Sequence, residues 1–254
     1  MDDKISKDKT FYEQFWADSN YTLRYAFDSA VRDRFPAIQK VWGELRPPSR
    51  LLDYGCGNGV LTYWMYSNRF GRDCLGIDIS STAIENARKQ FARNGLEFRV
   101  FDPNKPIDDL GKFDVVVSSH VLEHVPEPRE TIARILPLSE WVLIEIPLED
   151  CLVQNTVALI RQKERKDNPL GHIHFWTKDK FRYLLESCGL LIIREYQYAS
   201  APFSPYNNKI KQLVERLALA VLGTRLYGQL MATHYIVLAY RHPSWQEIIE
   251  RNKE

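Results

Sequence analysis

One feature constrains this chain more than any other: a strand that runs into three alternating glycines and out into a helix, Leu51-Leu52-Asp53-Tyr54-Gly55-Cys56-Gly57-Asn58-Gly59. Glycine lacks a Cβ, so such a turn reaches left-handed backbone and lets a ligand approach the main chain at a helix N-terminus, where amide N–H groups point outward. The spacing departs from the dinucleotide fingerprint GxGxxG/A. The third glycine comes one position early, and Val60 fills its slot. Asp53, two positions before the first glycine, would repel a pyrophosphate but can accept hydrogen bonds from an amine.

Periodicity supplies the frame around that turn. Residues 1–46 read as a helical cap, with Phe11, Tyr12, Phe15 and Trp16 at helical spacing, stopped by Pro47-Pro48. From 47 to 240, short apolar strands alternate with helices, and Val115-Val116-Val117 is apolar on both faces, as a central parallel strand is. Repeated strand–helix units with short links predict a doubly wound α/β domain with a seven-stranded, mostly parallel sheet, its last strand antiparallel. Two insertions, 147–175 and 198–230, interrupt the alternation late in the chain, and 241–254 is a tail. These insertions and the N-terminal helices are expected to form a lid.

The next two strands end on acids. Asp78 lies 19 residues after Gly59, where a carboxylate can accept both hydroxyls of a ribose. Asp102 follows Phe101, so an adenine amino group and ring face could be met together. Three acids at successive strand ends around a glycine turn fit a cationic nucleoside without phosphates, S-adenosylmethionine. LDYGCGNG (52–59), GIDIS (76–80), FDVVVSSHVLEHVPEP (113–128) and HIHFWTKDKFRYLLESCGL (172–190) together resemble the class I S-adenosylmethionine-dependent methyltransferases, in particular the small-molecule group with ubiquinone-type O-methyltransferases. The resemblance covers roughly residues 48–195 and is specific in combination. It implies a Rossmann-like methyltransferase fold and a cofactor site lined by Asp53, Gly55, Gly57, Asp78, Asp102 and Ser118, with Cys56, Ile79 and Phe101 beside them. Gly59 has a plainer reading, the close packing of helix on strand.

Methyl transfer needs a base only where the acceptor arrives protonated, as a hydroxyl does. Of six histidines, His120 and His124 follow the fourth strand, and His172 and His174 precede the Thr177 helix. His124 and His174, with His120, are the candidate catalytic residues. Relatives with E-x-x-E-H at this place use it with a later histidine to hold a divalent cation. Here the stretch is His120-Val121-Leu122-Glu123-His124, with His120 in place of the first glutamate, and a metal-free site is the expectation. The expected reaction is O-methylation of a small molecule (sugar, phenolic or lipid-linked), ahead of N-methylation. Two rivals are a nicotinamide-dependent oxidoreductase, opposed by the missing GxGxxG, and a non-catalytic scaffold, opposed by the intact Asp53, Gly57 and Asp78 set.

Charge and cysteines narrow the setting. Lys+Arg 34 against Asp+Glu 33 leaves +1, with no basic excess for general nucleic-acid binding. Cys56, Cys74, Cys151 and Cys188 form no CxxC pair, which points to a reduced, cytoplasmic protein. The N-terminus MDDKISKDKT has no apolar signal core, and no apolar run reaches the ~18–20 residues of a membrane span. The basic run 161–166, mixed with Glu164 and Asp167, reads as a solvated helix face. In 208–222, Ile210, Leu213, Val214, Leu217 and Val221 form an apolar stripe. That stripe is expected to pack on the core as a lid helix or to meet a homodimer partner, in preference to resting on a membrane.

Overall fold

Pro47 and Pro48 lack the N–H that a helix would need, and they release the chain from its N-terminal helices into its first strand. The computed structural model describes residues 2–17, 19–161 and 170–252. Helices α1 (Asp2–Ala17) and α2 (Ser19–Ser29) are followed by one wide π-turn at Ala30–Arg34 and by α3 (Phe35–Trp42), which buries Phe35, Ile38, Val41 and Trp42. The alternation then proceeds as β1 (Arg50–Tyr54), α4 (Val60–Ser67), β2 (Asp73–Asp78), α5 (Ser81–Phe91), β3 (Leu96–Val100), β4 (Val115–Ser119), α6 (Pro128–Ile135) and β5 (Trp141–Leu148). After β5 come α7 (Leu152–Arg161), α8 (Lys178–Ser187), β6 (Leu190–Tyr198), α9 (Lys209–Leu230), β7 (Thr233–Arg241) and α10 (Trp245–Arg251).

The seven strands form one sheet in the order β3-β2-β1-β4-β5-β7-β6. β1 is parallel to both β2 and β4, β2 is parallel to β3, and β6 and β7 are antiparallel. The strand order reverses beside β1, between β1 and β4. In open α/β sheets ligands bind at such a switch point, beyond the carboxyl ends of the strands. The register aligns those ends: Asp53 pairs with Gly76 on one side and Val117 on the other, and Asp78 pairs with Val100.

The chain divides into two compact units, Met1–Ser119 with Arg134–Leu143, and His120–Ala133 with Ile144–Glu254. In the first, Val115, Val116 and Val117 are fully buried, as their two-sided apolar pattern requires. In the second, the core is built on Ile144, Ile146, Phe181, Leu185 and the inner residues of β7.

The late insertions carry more helix than their polarity suggests. The first contains α7, and of the basic run only residue 161 closes it; 162–169 lie outside the described residues. The second contains α9, kinked at Gly223, where φ is 67° and ψ is 165°. The expectation that its apolar stripe packs on the core is overturned. Ile210, Leu213, Val214, Leu217 and Val221 are all exposed, whereas Glu215 and Tyr227 are buried.

Candidate functional site

In the first unit the glycine turn is held by its own strand neighbours. Gly55, Gly57 and Gly59 have φ of 79°, 53° and 77°, a region that side chains strain to enter. The N–H groups of Gly55 and Cys56 both donate to the Ile77 carbonyl, at 2.8 and 3.0 Å. Gly57 N–H donates to Asp78 Oδ2 at 2.8 Å, and Ser80 N–H to Asp78 Oδ1 at 2.9 Å. Asp78 therefore latches the turn and keeps further lone pairs for a ligand. Gly59 meets its plainer reading: a Cβ there would lie 2.5 Å from the Phe98 ring and 2.8 Å from Ala87.

Asp53 is buried and accepts a 2.6 Å hydrogen bond from Thr62 Oγ1. Burial pushes its carboxyl up to about 6, against the Thr62 bond and the Arg34 charge and with repulsion from Asp78. Burial raises Asp78 as well, against the N–H donors of Ser80, Gly57 and Ile79. Two buried carboxyls that burial drives toward neutrality form a place where an added cation is stabilised. Nearby in the chain, Ser118 Oγ at the end of β4 is buried without a hydrogen-bond partner. A sulfonium and ammonium-bearing nucleoside fits this donor and acceptor set. Phe101 lies 5.1 Å from the Tyr54 ring, Ile79 is half-buried, and the thiol of buried Cys56 is pushed well up by burial. Asp102 is more exposed than either partner acid. It accepts from Asn104 N–H at 2.9 Å and lies 3.6 Å from Lys105 Nζ.

Two residues of α1 join this region without any motif to announce them. A Cβ on Gly57 would sit 2.6 Å from the Trp16 ring, so the indole lies directly over the glycine turn. Glu13 receives the N-terminus of α5, from Ser81 N–H at 2.8 Å and Thr82 N–H at 2.9 Å, and also bonds the Ser80 and Ser81 hydroxyls. Burial opposes ionisation there, but these donors hold the Glu13 carboxyl down at about 2. The aromatic spacing in 11–16 is the one available signal for Trp16; nothing local marks Glu13.

In the second unit, among the described residues, acids and histidines converge in two groups. One is Glu123, His124 and His172, whose ligating atoms lie within 4.8 Å of one another. Glu123 is fully buried, and neither carboxylate oxygen makes a hydrogen bond. Burial raises its carboxyl, against the nearby charges of His124 and His172. The His124 and His172 rings meet edge-on at 4.8 Å but are driven apart in protonation. Burial lowers His124, against the attraction of Glu123. Burial also works against His172, but its 2.7 Å bond to Glu149 together with the charges of Glu149 and Glu123 outweighs it and raises the ring. His124 Nδ1 faces the Gly171 carbonyl at 3.3 Å, which assigns the proton to Nδ1, and its Nε2 lies 3.9 Å from Glu123 Oε1.

The other group is His120, Glu145 and His234. His120 Nε2 lies 3.2 Å from His234 Nδ1, its Nδ1 approaches Glu123 Oε1 to 3.1 Å, and its φ is 58°, strained for a side chain of this size. Tyr198 donates to Glu145, and Ser200 meets His234 Nε2 at 2.9 Å. His174 belongs to neither group. Its Nε2 reaches the Val125 and Pro126 carbonyls at 3.0 and 3.3 Å, its ring stacks on Trp176, and its N–H joins that of Ile173 on the Glu123 carbonyl. It ties the 172–174 segment to the turn after β4. Glu145, Glu149, Tyr198 and His234 come from distant positions with no shared motif.

Comparison with known proteins shows the family and the fold. A family model described as a methyltransferase domain matches residues 23–195. A ubiquinone biosynthesis O-methyltransferase of Actinobacillus pleuropneumoniae serotype 5b is 30% identical over 170 residues, which are 63% of this chain and 72% of that protein. A methyltransferase of the same name from Bordetella avium is 32% identical over 119 residues, 43% of this chain and 46% of that protein. In fold, an S-adenosylmethionine-dependent methyltransferase from Anabaena variabilis superposes with a TM-score of 0.62 at 16% identity, covering 92% of this chain and 95% of that one.

Proposed function

The chain belongs to the methyltransferase-domain family, an enzyme family whose cofactor is S-adenosylmethionine, and from that premise we propose that it methylates an oxygen of a small molecule with His124 as the base. The cofactor supplies an electrophilic methyl group; the rest falls to the chain. Asp53 and Asp78 offer negative charge to the cationic nucleoside, and the glycine turn leaves its backbone approachable. A hydroxyl must lose its proton as it is methylated, and a neutral imidazole can take it. The observation that carries this reading is His124 itself: burial disfavours its charged form, so the ring is biased toward the neutral state that a base needs, and Glu123 lies 3.9 Å from its Nε2. Titrating groups whose environments push them apart mark acid and base assignments, and His124 and His172 are such a pair.

The test is His124→Gln in an assay of labelled methyl transfer into a pool of hydroxyl and amine acceptors. Loss of a general base is expected to lower turnover by ~10²–10⁴-fold with S-adenosylmethionine affinity unchanged. The wild-type rate should fall with acid below the ordinary histidine range, and the variant should lose that limb. A variant that keeps more than about a tenth of wild-type turnover, a loss under 1.36 kcal/mol, removes His124 from this role and favours an amine acceptor.

A second reading rests on Glu123. Its fully buried carboxylate makes no aligned hydrogen bond, and His120 Nδ1 lies 3.1 Å from Oε1. Beside the imidazoles of His124 and His172, it is the donor set of a borderline divalent cation, held by Glu123, His124 and His172. Such an ion would lower the pKa of an acceptor hydroxyl and displace His124 as base. Stoichiometric metal in the purified protein, lost with activity on chelation and absent from Glu123→Gln, would favour it. Full activity in chelator supports the metal-free site expected from the sequence.

A further inference from the structure

We propose that α9 is a docking helix for an anionic lipid surface. The helix is built inside out. From Lys209 to Gly223 its inward side carries Glu215, and its outward side presents Ile210, Leu213, Val214, Leu217 and Val221, each between 58% and 82% exposed. At 100° per residue these five positions fall within one arc of about 100°, a continuous apolar stripe and not scattered exposure. Exposed large aliphatics in such a row mark an interaction site.

Charge selects the occupant. α9 contains five charged residues, Lys209, Lys211, Glu215, Arg216 and Arg225, and its one acid is the buried one. The water-facing charge of the helix is therefore entirely cationic. Lys211 borders the stripe on one side, and Lys209 and Arg216 border it on the other. Arg216 is turned onto the Pro202 carbonyl and the Phe203 ring, and Lys211 lies 3.9 Å from Glu215. The two lysines at the start of the helix are therefore the cations placed to meet headgroup phosphates while the stripe enters the acyl boundary. A second copy of this chain seated on the same face would set like charges against each other along both rims. A surface with negative charge and an apolar interior meets both features. Helix α7, which packs against α9, adds exposed Leu159 and Ile160 and carries no acid. No described helix is long and apolar enough to cross a membrane, so the contact proposed is peripheral. The methyltransferase match ends at residue 195, so α9 lies outside the portion shared with that family.

The experiment is flotation of the full chain with vesicles of phosphatidylcholine alone or of phosphatidylcholine mixed with phosphatidylglycerol. The wild type is expected to float with the anionic vesicles, less so as salt rises, and not with phosphatidylcholine alone. Leu217→Gln/Val221→Gln, exposed changes that leave S-adenosylmethionine binding and melting temperature as an internal check of folding, should reduce the bound fraction at least tenfold. Lys209→Glu/Lys211→Glu should do the same on anionic vesicles. Equal flotation by wild type and the glutamine variant, flotation on neutral vesicles as strong as on anionic ones, or no flotation at all would overturn the proposal. So would a dimer in sedimentation that the glutamine variant abolishes, since the stripe would then be covered by a second copy.

Discussion

The glycine-turn unit and the histidine-lined unit solve opposite problems. Around Asp53 and Asp78, sterics and short backbone hydrogen bonds make the site: all three glycines of the turn are at positive φ, and Asp78 is bonded by two N–H groups close to it in sequence or register. Around Glu123 the site is made by convergence. Residues 120–124, 145–149, 172–174 and 234 arrive from separate segments, and the central carboxylate is left without a hydrogen bond. The first kind of site fails when an atom is added; the second fails when a proton or charge is moved. Side-chain chemistry can therefore vary in the second unit, while the first has no room to relax.

Gly59→Val breaks the first half of that comparison and carries the largest expected effect on stability. Its Cβ would overlap Phe98 and Ala87, and a β-branched residue would be forced to φ near 77°. Overpacking and left-handed strain each cost about 1–3 kcal/mol, for a total of about 2–6 kcal/mol in urea unfolding. His172→Asn, the matching change in the second unit, should alter turnover and cost about 1–3 kcal/mol of stability for the lost bond to Glu149. Equal destabilisation by the two variants would erase the distinction.

The same contrast decides how much of the molecule is legible in its sequence. Alternating strands and helices, the glycine turn and the acids Asp53 and Asp78 are short-range patterns, and the sheet with its antiparallel last pair follows from them. His120 and His124 are visible through their position after β4, but their partners Glu145, Glu149 and His234 are not, because tertiary convergence leaves no spacing signal. In sequence His172 and His174 look alike, flanking Ile173 in an extended segment. The structure separates them: one meets Glu149, and the other is tied to the Val125 and Pro126 carbonyls. The stripe on α9 is legible as amphipathic, yet which side faces the protein depends on what Glu215 and Tyr227 pack against.

Asp78→Ala sharpens the first unit's side of the contrast. It removes a charged acceptor from the turn and from any ligand, so S-adenosylmethionine and S-adenosylhomocysteine binding should each weaken by about 1.5–3 kcal/mol in titration calorimetry. Unchanged affinity would show that Asp78 serves only to hold Gly57 and Ser80.

A third measurement uses the raised carboxyl of Asp53. With its folded value at about 6 and its ordinary value 3.8, the unliganded protein binds a proton there that the unfolded chain does not. That contribution to stability is present at low pH and is lost as pH rises through about 6. A cationic ligand competes with the same proton. Its affinity should therefore rise with pH up to about 6, by no more than tenfold per pH unit, and level off above. Asp53→Asn should flatten the profile; a profile unaltered by that change assigns the dependence elsewhere.

The smallest effect is expected from Glu13, where the two kinds of site are easiest to confuse. Its carboxylate is held at about 2 by donors from Ser81 and Thr82, below the ordinary 4.5, so the sign is the reverse of Asp53. Stability from Glu13 is fully present above the ordinary glutamate value and is lost as pH falls toward about 2. The full shift overstates the energy, because this group is half-buried and solvent still screens its interactions. A helix N-cap carboxylate is worth about 1 kcal/mol, and Glu13→Gln should cost about that much at neutral pH, about half of it or less at pH 3, and almost nothing only below about pH 2. Thermal melts of the two proteins across that range measure the difference. If Glu13 only caps α5, the loss appears in melting alone. If it also keeps Trp16 over Gly57, S-adenosylmethionine binding changes with it, and α1 then belongs to the cofactor site as fully as the glycine turn does.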